Sequence, residues 1–144
     1  MDIVRASSSL PFVTKITYVD GIPMLDGGIA DSIPVEFAMS QGYEKLVVVL
    51  TRNRGYRKKE GRMQIAKLAY RQYPKLQEAL QQRNAVYNRT MDLIERLEDE
   101  GRITVIRPLK PVEVGRMEKD TAKLRALYQE GYDIAEQLLV SGKL

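Results

Sequence analysis

An α/β fold followed by a mostly helical C-terminal part is predicted from three features of the chain. The run Leu46-Val47-Val48-Val49-Leu50 is continuous, β-branched and leucine-rich, the pattern of a strand buried on both faces in a parallel sheet between helices. A hairpin signal, a glycine-rich turn and a short helix precede it, and strand, loop, helix and buried strand in that order point to α/β architecture. From Met63 onward the apolar period becomes helical. The 144 residues match a domain of common size, and 44% hydrophobic with 29% charged residues suffices for a core and a charged surface.

The elements follow in chain order. Ile16 to Leu25 has strand character on either side of Asp20-Gly21, a dipeptide that tolerates the positive φ of a tight hairpin turn. Pro23 cannot donate a ladder hydrogen bond and predicts an edge position for the second strand. Pro34 suits the first position of a short helix running to about Gln41 and closed by Gly42. Tyr73, Leu76, Leu80, Tyr87, Met91, Ile94 and Leu97 recur at steps of three, four or seven and predict one apolar stripe on a long helix beginning near Pro74. Polar residues, among them Gln81, Arg83, Asn84 and Asn88, fill the gaps. Glu98, Asp99 and Glu100 have the wrong sign for the helix C-terminus before Gly101 stops it. Ile103 to Ile106 is a short strand. A last helix starts near Asp120, a good N-cap, carries Leu124, Leu127, Tyr128, Gly131, Ala135 and Leu138 on one side, and ends by Gly142.

Composition limits the chemistry. With no cysteine and no histidine, the chain holds no disulfide, thiolate nucleophile, imidazole base or soft metal ligand, so a serine–histidine–aspartate triad cannot be completed from it. No calcium-loop pattern is present, and neither a metal nor another cofactor is expected. The longest uninterrupted apolar run, Leu46 to Leu50, is far short of the roughly 18–20 residues that cross a bilayer. Asp2 and Arg5 interrupt any apolar signal segment, so a cytoplasmic location is expected.

The net charge of +4 is unevenly placed. Arg52, Arg54, Arg57, Lys58, Lys59 and Arg62 face Glu60 alone in a segment that reads either as a solvated linker or as a patch for phosphates or an anionic membrane surface. Nucleic acid is not expected, because no binding motif accompanies the charge. A subdomain boundary is placed in this segment. Asn88-Arg89-Thr90 has the form of a glycosylation sequon but falls in a helix and is read as chance.

Two places could carry chemistry. Ser7-Ser8-Ser9 offers hydroxyl nucleophiles, but no serine of the chain lies in the G-x-S-x-G pattern that permits a strained strand-to-helix elbow. The plain reading is the end of a helix and the start of a loop. Asp26-Gly27-Gly28 reads from the tripeptide alone as a turn after the hairpin. Its surroundings add to that reading.

Arg5-Ala6-Ser7-Ser8-Ser9-Leu10-Pro11-Phe12, then Leu25-Asp26-Gly27-Gly28-Ile29-Ala30-Asp31-Ser32-Ile33-Pro34-Val35, resembles the later part of the bacterial patatin-like phospholipases. Gly42 to Arg52 and Gly55 to Lys59 are similar to the same branch, and the rest resembles its helical C-terminal extension. The resemblance implies the C-terminal portion of a three-layer α/β/α fold with an incomplete sheet over residues 1–55, and a mostly helical extension over 56–144. It also implies a serine–aspartate dyad acting on a lipid or other ester, with Asp26 as the catalytic aspartate and Gly27 and Gly28 keeping side chains away from it. A carboxylate is a weak base toward a hydroxyl, so burial and fixed positioning are expected of Asp26.

The family's glycine-rich oxyanion loop and G-x-S-x-G elbow precede the matching segment, and neither pattern occurs here. The expectation is therefore a fragment that carries Asp26 but is inactive alone. Ser32 departs from the asparagine or proline common in relatives. A sheet without its neighbouring strands predicts homo-oligomerisation, and a non-enzymatic lipid- or protein-interaction module using residues 52–62 is the alternative.

Overall fold

A computed structural model describes residues 1–59, 68–115 and 117–144. It is mixed α/β, in the order α1 (Asp2–Ser7), β1 (Thr17–Val19), β2 (Ile22–Met24), a 3-10 turn (Gly27–Ile29), α2 (Val35–Ser40), β3 (Leu46–Val49), α3 (Pro74–Asp99), β4 (Ile103–Ile106) and α4 (Thr121–Val140). Glu60 and Arg62 of the basic segment, and Met63 where the helical period is expected to begin, lie outside the described residues. The chain forms two compact units, Met1–Pro34 with Lys58–Thr90, and Val35–Arg57 with Met91–Leu144.

In the first unit β1 and β2 pair antiparallel, Tyr18 opposite Pro23. Asp20 and Gly21 take φ of 50° and 78° and make the tight turn their residue types allow. Ile29, Tyr70 and Leu80 form the core, with Ile16, Leu25, Tyr73, Leu76 and Ala79 packed against them. The Phe12 backbone lies at φ 66°, an unfavourable region for a residue with a Cβ. Its N–H donates to the Tyr70 hydroxyl at 2.9 Å and its ring packs 5.2 Å from the Tyr70 ring, so Tyr70 holds the loop after α1 in that conformation.

In the second unit β3 and β4 pair in parallel, Val48 opposite Val105. Val48, Leu50, Ile103 and Val105 are buried, as are Met91, Ile94 and Leu97 from α3. The strand is not buried on both faces as its composition predicts. Val47 and Val49 are 51% and 69% exposed, because among the described residues the sheet has two strands and only the Val48 face is covered. The long helix does follow its stripe: Leu80, Tyr87, Met91, Ile94 and Leu97 are buried. Gly101 ends that turn of chain with φ 67°.

Helix α4 begins where Asp120 accepts from the Ala122 and Lys123 N–H groups, satisfying two donors that a helix start leaves unpaired. None of its residues is fully buried, and the apolar side expected of it is only half-covered at Leu127, Ala135 and Leu138. Tyr128 and Tyr132 stack on each other in solvent, 6.5 Å between ring centroids. No helix among the described residues is long and apolar enough to cross a membrane.

Burial therefore ranks the two long helices. Ile94→Ala, at a fully buried site, is expected to cost about 2–5 kcal/mol, whereas Tyr128→Ala is expected to stay within about 0.5 kcal/mol. Urea unfolding midpoints check this, and equal shifts for the two variants would contradict the packing described.

Candidate active site

The turn around Asp26 is built from its own backbone. The Asp26 N–H donates to the Ser9 carbonyl at 2.9 Å, which ties it to the segment after α1. Its carbonyl accepts from the Ile29 N–H at 3.1 Å and opens the 3-10 turn, while Oδ1 accepts from the Gly28 N–H at 2.7 Å. A short carboxylate side chain that caps the N–H two residues on is a common way to fix a tight turn. Oδ2 has no partner among the described residues. The side chain is half-buried, less enclosed than expected of it.

The two glycines are not equivalent. A Cβ on Gly28 would lie 3.1 Å from Asp26 Oδ1, so the hydrogen bond and the missing side chain belong together. A Cβ on Gly27 would meet nothing within 4 Å. The Gly28 carbonyl accepts twice, from Ser32 Oγ at 2.8 Å and from Arg83 Nε at 2.9 Å, which uses both oxygen lone pairs. Ser32, the departure from the family pattern, thus has a structural task.

Five of the six serine hydroxyls, all but that of Ser7, donate to backbone carbonyls. Ser7 ends α1. Ser8 Oγ donates to the Val4 carbonyl, and buried Ser9 Oγ donates to the Arg5 carbonyl at 2.7 Å while sharing a 2.8 Å hydrogen bond with Thr17 Oγ1. Ser40 and Ser141 likewise donate to carbonyls of their own helices. Among the described residues, no serine hydroxyl hydrogen-bonds to the Asp26 carboxylate.

The basic segment meets a polar stripe of α3. In the second unit Arg54 pairs with Asp99 at 2.6 Å and Glu98 at 3.3 Å, and Arg57 with Asp92 at 2.6 Å and Glu95 at 3.0 Å. Glu95 Oε1 also accepts from the Gly55 N–H at 2.9 Å. The Arg57 guanidinium and that N–H hold the Glu95 carboxyl at about 2, below its ordinary 4.5, against the opposing effect of burial. Arg107, 8% exposed, pairs with Glu98, and burial pushes its guanidinium below the usual arginine range. In the first unit Asn88 Oδ1 accepts from the Lys58 N–H and its Nδ2 donates to the Lys58 carbonyl, while Asn84 Nδ2 donates to the Lys59 carbonyl. The amide of the sequon is thus engaged in structure. Lys58 Nζ sits 3.7 Å from the Tyr87 ring centroid.

Sequence reasoning singled out Asp26 but passed over Arg83, Asn84, Asn88, Asp92 and Glu95. The signal that could have found the last four is their three- or four-residue spacing, which places them along one side of a helix. Arg83 left no such signal.

Comparisons with known proteins divide the chain. Residues 1–39 match the family described as patatin-like phospholipase, and residues 73–141 match a domain of unknown function, DUF6363. Over 52 residues the chain is 48% identical to YjjU, an uncharacterized protein of Escherichia coli strain K12. That stretch covers 35% of this chain and 15% of the relative, far less than two thirds of the relative's length. The Asp26 turn lies within the first family match; Arg83 and the polar stripe lie within the second.

The Glu95 cluster sets a pH dependence. A carboxyl with a lowered folded-state pKa stabilises the fold above its ordinary 4.5 and loses that contribution as pH falls toward about 2. Glu95→Gln is expected to cost about 1–3 kcal/mol at pH 7, with the difference from wild type shrinking progressively below pH 4.5. Urea titrations along that pH series check the sign, and a difference that stays constant or grows on acidification would contradict it.

Proposed function

We propose that this chain contributes the aspartate half of a serine–aspartate dyad in a patatin-like lipid acyl hydrolase, and that alone it does not hydrolyse esters. The observation that carries this reading is the Asp26-Gly27-Gly28 turn inside the 1–39 family match, with one carboxylate oxygen held by the Gly28 N–H and the other unclaimed among the described residues. In this mechanism a serine from the preceding part of the catalytic domain attacks the ester carbonyl as Asp26 takes its proton. The new serine–carbon bond forms, the ester carbon–oxygen bond breaks, and the proton leaves with the alcohol. Water then cleaves the acyl-enzyme by the same route. Oxyanion donors come from the same preceding part.

Three features support inactivity of the isolated chain. No G-x-S-x-G elbow occurs in it, its described serines with assigned hydroxyl bonds face backbone carbonyls, and the loss of even one oxyanion donor costs about 2.7–4 kcal/mol. In this reading residues 1–55 belong to the catalytic domain and 56–144 to its helical extension. A non-enzymatic module using residues 52–62 has less support, because Arg54 and Arg57 already pair with carboxylates of α3.

The purified chain is expected to show no turnover of a short-chain p-nitrophenyl ester above the buffer rate. Joined to the reading frame immediately upstream in its genome, expected to encode an in-frame G-x-S-x-G, it is expected to be active and to lose about 10²–10⁴-fold on Asp26→Asn. Turnover by the isolated chain that Asp26→Asn abolishes, or an active joined protein indifferent to that substitution, would overturn the proposal.

A further inference from the structure

We propose that Arg83, on the helical part of the chain, is a positioning residue for the Asp26 carboxylate. The inference rests on the dyad reading for the importance of Asp26, but the contact itself does not depend on catalysis.

Gly28 links the two side chains. Lacking a Cβ, it has the widest choice of φ and ψ of any residue type, and the Ile29 and Ala30 N–H groups, donating to the Asp26 and Gly27 carbonyls at 3.1 and 3.0 Å, place it in the 3-10 turn. Side-chain bonds add to that backbone frame on both sides of the Cα. On the N-terminal side its N–H is bound to Asp26 Oδ1 at 2.7 Å. On the C-terminal side its carbonyl is bound by Ser32 Oγ at 2.8 Å and Arg83 Nε at 2.9 Å. A side chain at Gly28 would disturb these restraints, because its Cβ would lie 3.1 Å from Asp26 Oδ1 and the carboxylate would have to give way.

The two acceptor bonds differ in reach. Ser32 is four residues away and can move with the loop, whereas Arg83 is separated from Gly28 by 55 positions and is carried on α3. A guanidinium donor makes the stronger, charge-assisted bond. Its placement is not incidental, because Leu80, three residues earlier and so adjacent on the helix surface, packs in the core with Ile29, the residue after Gly28. Helix α3 thus gives the turn an apolar seat at Ile29 and a cationic tether at the Gly28 carbonyl. Without the tether, the Gly28 carbonyl keeps only Ser32 as a donor, the turn is held less firmly, and the Gly28 N–H that aims Asp26 Oδ1 opens more often. The helical extension then acts on the aspartate through Gly28, by two hydrogen bonds in series.

Amide hydrogen exchange of the 144-residue chain, followed by NMR, tests this. Arg83→Met is expected to speed exchange of the Gly28 N–H about tenfold, with the amides of Val48, Val105 and Ile94 unchanged as a measure of intact folding. Arg83→Lys keeps a charge but not the planar donor, and is expected to recover part of that loss, to within about threefold of wild type. If Arg83→Met does not fold, Arg83→Gln, with a neutral donor on a similar stem, is expected to speed Gly28 exchange with the reference amides unchanged. Gly28 exchange that stays at the wild-type rate, that rises in step with the reference amides, or that Arg83→Lys does not slow would overturn the proposal. These outcomes are independent of ester hydrolysis, so failure of the tether and failure of the dyad reading are separately visible.

Discussion

The apolar stripe of helix α3 is the constraint on which the rest of the structure depends. A helix of 26 residues that is mostly polar in composition can bury only one narrow side, and here that side supplies Leu80 and Tyr87 to the first unit and Met91, Ile94 and Leu97 to the second. Once the stripe is fixed in a core, the flanking polar positions are fixed as well. Asn84 and Asn88 then meet backbone groups of Lys58 and Lys59, and Asp92, Glu95 and Asp99 meet Arg57 and Arg54. The acidic helix end, unfavourable toward the helix dipole by itself, is compensated by Arg54 and Arg107 on Glu98 and by Arg102 on Glu100.

The same helix reaches the one turn with a chemical reading. Asp26 is oriented by a glycine N–H, and that glycine is held in a 3-10 turn by backbone bonds and by side chains on its carbonyl. The Gly28 carbonyl receives that restraint from Ser32 and Arg83, so the geometry of a carboxylate in the N-terminal match is coupled to a side chain in the C-terminal one. A half-buried carboxylate with one oxygen held and one unclaimed among the described residues is suited to accept a proton from a group brought to it. The described serines do not supply that group.

Local rules made most elements legible. Asp20-Gly21, Asp120 and Gly101 each act through their own φ or side-chain bond, and the stripe of α3 follows from period alone. What the sequence could not convey was partnership across long separations. A valine-rich run looks buried on both faces, yet Val47 and Val49 are exposed, because a strand's composition does not reveal how many neighbours it has. Arg54 and Arg57 looked like free positive charge for the same reason: their carboxylate partners lie about 35–45 positions later. Asp26 was found through the residues flanking it, while Arg83, one arginine among many on a polar helix, carried no local mark.

In the dyad reading this chain holds the aspartate and no activated serine. A fluorophosphonate probe reacts with serine hydroxyls that an enzyme has activated, and intact-protein mass spectrometry reads the adduct directly. No mass increase is expected for the isolated chain after prolonged exposure to the probe. Stoichiometric phosphonylation of Ser7, Ser8, Ser9 or Ser32, lost in Asp26→Asn, would contradict it.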